Sequence, residues 1–209
     1  TAIFKQLRWY KVYQWLKNEP GDSFSKKILE FMEGIGLDES RKFLPQDMHA
    51  LQNMNRLQHM MDECLNDVVD AEMTKLFGKA MAWSNRSVQL RDYNRYCKVI
   101  DANVIWMGCG FDFNVDDDYP QIQVIYSVGA AYPQRDKIIQ SMVRFVADNN
   151  EWKGLDLNAD EKWQAICAEK SLLDFLHNED HISSIQQFLI DKLRELHRLK
   201  QEDPKLFWK

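Results

Sequence analysis

The spacing of apolar residues changes near residue 80, and this change constrains the fold more than any other feature of the chain. Before it, apolar side chains recur every three to four positions, the period of a helix with one buried face. Residues 3–17 carry Ile3, Leu7, Tyr10 and either Tyr13 or Trp15 at that spacing, and Pro20-Gly21 closes the run. Asp22 or Ser23 caps a second helix over about 23–34, with Phe24, Ile28, Phe31 and Met32 on one face and Gly34 and Gly36 at its end. Pro45 opens a long helix over about 46–78, with a stripe of Met48, Leu51, Met54, Met61, Leu65, Val68 and Leu76. Beyond it the period falls to two. Residues 103–113, NVIWMGCGFDF, are rich in β-formers, and in 121–128 Ile122, Val124, Tyr126 and Val128 alternate with Gln121, Gln123, Ile125 and Ser127. The seven-residue NVDDDYP loop between them makes an antiparallel hairpin, in which Gly108 and Gly110 mark a bulge or a close backbone approach.

The remaining segments fill in around that hairpin. Residues 86–99 alternate polar and apolar side chains and fit a polar-faced strand or a loop. Residues 162–170 fit a third strand or part of a helix. Helices are expected from Asp136 to about Ala147, briefly over Leu172–Leu176, and over about 180–200 behind a cap at Asn178 or Asp180. The fold class is α+β: a helical subdomain over 1–80, then a small antiparallel sheet packed with helices over 81–209, the two forming one compact unit.

Composition narrows the function classes. A chain of 209 residues with 45% apolar and 28% charged residues can bury a full core without staples. Eight Gly and five Pro exclude a collagen-like chain, and a net charge of −5 excludes a strongly basic nucleic-acid binder. No run of 18 apolar residues suggests a membrane span, and Lys and Arg interrupt the N-terminal apolar residues where a signal peptide would be continuous. Cys64, Cys97, Cys109 and Cys167 form no CxxC pair and read as reduced thiols of a cytoplasmic protein. The Thr1 start fits removal of Met or a fragment of a longer chain.

Candidate chemistry is sparse. His177 and His181 stand four apart; on one helix they would face the same way and grip a metal, whereas Asp180 between them is equally a helix cap. Asp116, Asp117 and Asp118, with Asp112 nearby, form an acidic hairpin tip, suited to magnesium or simply to solvent. Glu151-Trp152-Lys153 has the E-x-K form of restriction-type nucleases, but follows a turn where that form needs a central strand. Cys109, between two glycines, reads as a packed strand thiol or a reactive one. Trp9, Tyr10, Tyr13 and Trp15 lie among Lys5, Arg8, Lys11 and Lys17; such a helix can stack bases, meet a protein, or anchor to the core. Arg8, Trp9, Lys11 and Trp15 are its candidate binding residues. The Met-rich helix (Met48, Met54, Met60, Met61, Met73) suits a core or a self-association surface. No cofactor is implied.

Three stretches together carry a resemblance. They are LRWYKVYQWL at 7–16 with EFMEGIGL at 30–37, the WMGCGFDF…YPQIQVIYSV hairpin, and LLDFLHNEDHISSIQQFLIDKLREL at 172–196. Their order resembles the C-terminal half of bacterial PD-(D/E)XK nuclease superfamily proteins, in which a catalytic domain precedes a helix of the LRWYxVYxxL kind and an accessory region. The resemblance implies that the catalytic Asp and E-x-K lie upstream, so no catalytic residue is carried over to this chain. It implies a non-catalytic interaction or regulatory role beside a nuclease, in defence against foreign DNA. The partner would be a protein or an upstream nuclease domain, with no membrane. The acidic net charge argues against strong DNA binding by this chain alone. The alternative is a stand-alone metal-dependent hydrolase using His177, His181 and the acidic hairpin.

Overall fold

The alternating run becomes the middle of a sheet. In the computed structural model, which describes residues 9–18, 23–34, 45–83, 85–102, 104–113, 119–155, 157 and 162–202, six antiparallel strands are ordered β1-β2-β3-β4-β6-β5. They are β1 (Ala82–Trp83), β2 (Arg95–Asp101), β3 (Ile105–Asp112), β4 (Gln121–Gly129), β5 (Trp152–Leu155) and β6 (Trp163–Ser171). Around them come helices α1 (Trp9–Asn18), α2 (Ser23–Gly34), α3 (Pro45–Leu65), α4 (Val68–Phe77), α5 (Arg86–Tyr93), α6 (Arg135–Asp148) and α7 (His181–Glu202), with a 3-10 turn at Leu172–Phe175. The fold is α+β, as the change of period implies.

Strand parity decides which side chains meet the helices. Ile122, Val124, Tyr126 and Val128 of β4, Ile105, Met107, Cys109 and Phe111 of β3, and Ile166 and Ala168 of β6 share one buried core. Helix α7 lays Ile185, Leu189, Leu193 and Leu196 into it, α6 adds Ile138, Met142 and Phe145, and α4 adds Val69, Met73 and Phe77. The other sheet face is rich in small residues, Gly108 and Gly110 of β3, Ser127 of β4, and Ala165 and Cys167 of β6, set around Trp106, Gln123 and Ile125.

Several local expectations are corrected. The long helix expected over 46–78 is two helices, α3 and α4, separated at Asn66 and Asp67, where Asp67 takes a φ of +46°. With ψ −86° Asp67 lies outside both the right- and the left-handed helical regions, and the helical run is broken there. Of residues 86–99, 86–93 form a helix, neither strand nor loop, whereas 95–99 belong to strand β2. Asn85 accepts from Val88 N at 3.2 Å at its start, and Asn94 closes it in the left-handed region with φ +50°. Such caps favour a helix whose body buries none of its residues. Residues 163–171 are a strand, and Trp152–Leu155 add an edge strand beside it.

The chain forms two compact units, residues 1–56 and 57–209, dividing within α3. In the first, α1 packs on α2 through Tyr13, Leu16 and Met32, with Val12, Ile28 and Leu29 half-buried around them. Tyr13, rather than Trp15, is the inward ring of α1, and its hydroxyl donates to Glu33 at 3.2 Å. No described helix is long and apolar enough to cross a membrane.

Two predictions test this packing. A Cβ on Gly110, which has φ +155°, would lie 2.2 Å from the Tyr96 carbonyl oxygen on the neighbouring strand. Because the obstacle is backbone, Gly110→Ala is expected to cost about 2–4 kcal/mol in urea unfolding. His197 packs edge-on against Phe77 at 5.7 Å. Burial, reinforced by the Lys200 charge, holds its imidazole below its ordinary pKa. The unfolded chain therefore takes up that proton first, and stability falls as pH drops through the ordinary histidine range. His197→Gln is expected to flatten that part of a stability-versus-pH curve.

Candidate functional site

Of the residues that the sequence singles out on the first helix, Arg8 lies outside the described residues, and Trp9 and Lys11 are placed in α1. Trp15 is 61% exposed on the same helix. On α2, Phe24 and Phe31 are 68% and 67% exposed, while Ile28 is half-buried and Met32 is buried. The expected apolar face of α2 is thus split. Two paired helices cover only the flank holding Met32, and the seven-residue spacing of Phe24 and Phe31 leaves both rings in water along one stripe.

His177 lies in the turn before α7, and His181 is its first residue. Asp180 caps that helix, accepting from Ser183 N at 3.0 Å and from Ser183 Oγ at 2.7 Å, and these bonds hold its carboxyl below its ordinary pKa. Among the described residues, no group of three or more His, Cys, Asp or Glu is placed to hold a metal ion. Asp116, Asp117 and Asp118 lie outside the described residues. Asp112 faces Arg95 across β3 and β2 at 3.8 Å. All four cysteines are buried free thiols. Burial pushes Cys64 and Cys167 up to about 12 and Cys97 up to about 11, and raises the fully enclosed Cys109 as well. Thiols so held stay protonated at neutral pH.

The E-x-K triplet does not converge. Trp152 opens the edge strand β5, and its indole N–H donates to Glu195 Oε2 at 2.7 Å. Lys153 pairs with Glu169, and Glu151 pairs with Lys192 of α7. Lys192 is the centre of this region. It is a buried ammonium held by Glu151 and by both carboxylate oxygens of Glu195 at 2.9 Å. Burial pulls its pKa down, but the bonds to Glu151 and Glu195 outweigh that, so it remains charged with a raised pKa, and Glu151 is correspondingly lowered. Beside it opens a cleft of about 720 Å³, lined by Phe175, Asn178, Ser184, Phe188 and Asp191 among others. The sequence does hold a signal for Lys192: it occupies a core position of the α7 stripe, three after Leu189 and four before Leu196.

A second concavity, of about 440 Å³, lies on the small-residue face of the sheet. Asp101, Trp106, Ser127, Ala165 and Leu155 form one row across β2, β3, β4, β6 and β5. Gln89, Tyr93, Arg95, Ile125 and Trp163 complete the lining. The six-membered ring of Trp106 rests over Gly108, and that of Trp163 over Gly129. Trp163 is 40% exposed and Tyr93 57%. The sequence marks Trp106 and Trp163 only by parity: each points away from the core-facing residues of its strand. No family model, curated protein or solved structure matches the chain.

The Lys192 network makes a graded prediction. Lys192→Ala leaves Glu195 half-buried without its cation and is expected to cost about 2–4 kcal/mol in urea unfolding at pH 7. Lys192→Met, which keeps the packed stem, is expected to cost less. Glu151 is 72% exposed, so Glu151→Gln is expected to cost under about 1 kcal/mol. The contribution of Lys192 should hold through neutral pH and vanish as pH rises through its raised folded-state pKa.

Proposed function

We propose that this chain is a non-catalytic interaction module whose protein partner docks on α1 and α2. The observation that carries this reading is the exposure of Trp15, Phe24 and Phe31 on a helix pair whose buried core, among the described residues, is Tyr13, Leu16 and Met32. Aromatic side chains exposed on this scale are costly in water and are the usual anchors of protein interfaces. The same stretch of sequence also carries the cationic and aromatic residues Arg8, Trp9 and Lys11. The resemblance of the three stretches together, with the LRWYKVYQWL helix leading into them, to the C-terminal half of PD-(D/E)XK proteins supplies the finer reading. The partner is a nuclease domain, on the same or another polypeptide, and the setting is the cytoplasm. The net charge of −5 favours a protein partner over a nucleic acid.

The test is native purification from the cells that make the protein, with intact-mass measurement and identification of what co-elutes. The expected result is a species well above 24.8 kDa containing a nuclease domain. In the double variant Phe24→Ser/Phe31→Ser, the complex should be lost, or a nuclease domain on the same polypeptide should become separable after limited proteolysis, with the far-UV spectrum unchanged. Wild-type protein recovered alone at its own mass would overturn the proposal.

A further inference from the structure

We infer that the concavity on the small-residue face of the sheet is a docking site for a proline-rich segment in the polyproline II conformation. The inference concerns a different surface from α1 and α2 and does not depend on docking there. Its first basis is shape. Trp106, Trp163 and Tyr93 rim an open trough of about 440 Å³ whose floor is Ser127, Ile125 and Ala165. Trp106 on β3 and Trp163 on β6 are two strand spacings apart and two residues out of register. Their backbones are therefore about 12 Å apart, the length of roughly four polyproline II residues at about 3.1 Å each.

The second basis is hydrogen-bonding character. The rim side chains Trp106, Trp163 and Tyr93 each carry a donor, and none of those donors has an acceptor among the described residues. Arg95 adds a guanidinium, ion-paired with Asp112 across the strands at 3.8 Å. The Ser127 hydroxyl, by contrast, already donates to the Trp106 carbonyl at 3.2 Å. A site rich in donors and aromatic surface suits a ligand with acceptors and apolar rings but few donors. Proline supplies both: it has a carbonyl, a pyrrolidine ring and no N–H. The preformed extended helix also loses little entropy on binding.

The third basis is charge and openness. Among the described residues of the lining, the charged ones are Arg95 and Asp101, one of each sign, which gives no net attraction for a phosphate backbone. The trough is open to solvent. A planar heteroaromatic ligand would leave a whole π-face in water, whereas a polyproline segment is solvated on its outer side by design of its backbone.

The test uses nitrogen-15-labelled protein and blocked decaproline, which contains no tryptophan. The indole N–H signals are assigned with Trp106→Phe and Trp163→Phe. The expected result is a saturable shift of the Trp106 and Trp163 signals. Trp163→Ala and Tyr93→Ala should each weaken binding by about tenfold or more, as central aromatic anchors do. Tyr93 is exposed at the end of α5, so its variant keeps the test valid if Trp163→Ala fails to fold. Phe24→Ser/Phe31→Ser should bind decaproline like the wild type, which separates this site from the α1–α2 surface. The inference is overturned by the absence of a saturable shift, or by unchanged affinity in Tyr93→Ala. It is also overturned if cellobiose or oligothymidylate moves these signals and decaproline does not.

Discussion

The parity of β4 is the constraint on which the second unit depends. Ile122, Val124, Tyr126 and Val128 must all point one way, and α6 and α7 lie against the face they make. Shifting β4 by one residue would send Gln121, Gln123 and Ser127 into that core, at a cost of several unsatisfied polar groups. The register is therefore fixed from the middle of the sheet outwards. β3 and β6 pair with β4 along eight and nine positions, and the short β1 and β5 are added at the edges. Short edge strands also leave little free ladder for another chain to join.

Helix α7 is the second element of that dependence. Its apolar stripe is interrupted by one ammonium, Lys192, whose carboxylates come from its own helix and from the turn before β5. The apolar residues around it set how deeply α7 sits. The ion cluster sets where the edge strand meets it, because Glu195 also accepts from the Trp152 indole. A nonspecific apolar contact would tolerate sliding of α7 along the sheet. A buried ammonium sharing three carboxylate oxygens does not, because each displaced bond exposes a charge to a poor environment.

Much of this was legible because it rests on periodicity. The hairpin, α2, α6 and α7 follow from apolar spacing, and of the two readings of Gly108 and Gly110, a bulge or a close backbone approach, the unbroken register leaves the close approach. What escaped depends on single residues or on tertiary contact. The break at Asp67 interrupts a helical pattern that continues on either side of it. Helix α5 has no apolar face, so its caps at Asn85 and Asn94 were the usable signal. Residues 163–171 fit two periods, and pairing with β4 decides between them. Exposure was hardest to read: Trp15 and Phe31 belong to the same patterns as Tyr13 and Met32, and nothing in the pattern says how much of it a partner helix covers. A binding role for Arg8, Trp9, Lys11 and Trp15, a metal role for His177 and His181, and an association with a nuclease are expectations drawn from the sequence.

The far face of the sheet differs from an ordinary covered face in the size of its residues. A face that needed only shielding from water would carry large branched side chains, which gain most from burial. Here Gly108 and Gly110 of β3, Ser127 of β4, and Ala165 and Cys167 of β6 surround one large branched side chain, Ile125, with Gly129 at the end of β4. A Cβ on Gly108 would stand 2.7 Å from the Trp106 ring, and one on Gly129 would stand 3.3 Å from the Trp163 ring. The glycines thus let both indoles settle onto the backbone, and Ser127 and Ala165 keep the floor between them low. Larger residues at these positions would bury more apolar area and fill the concavity. The sheet forgoes that stabilisation on one face only, the face that presents Trp163 and Tyr93 to solvent, and a cost confined to one surface is what a binding surface entails.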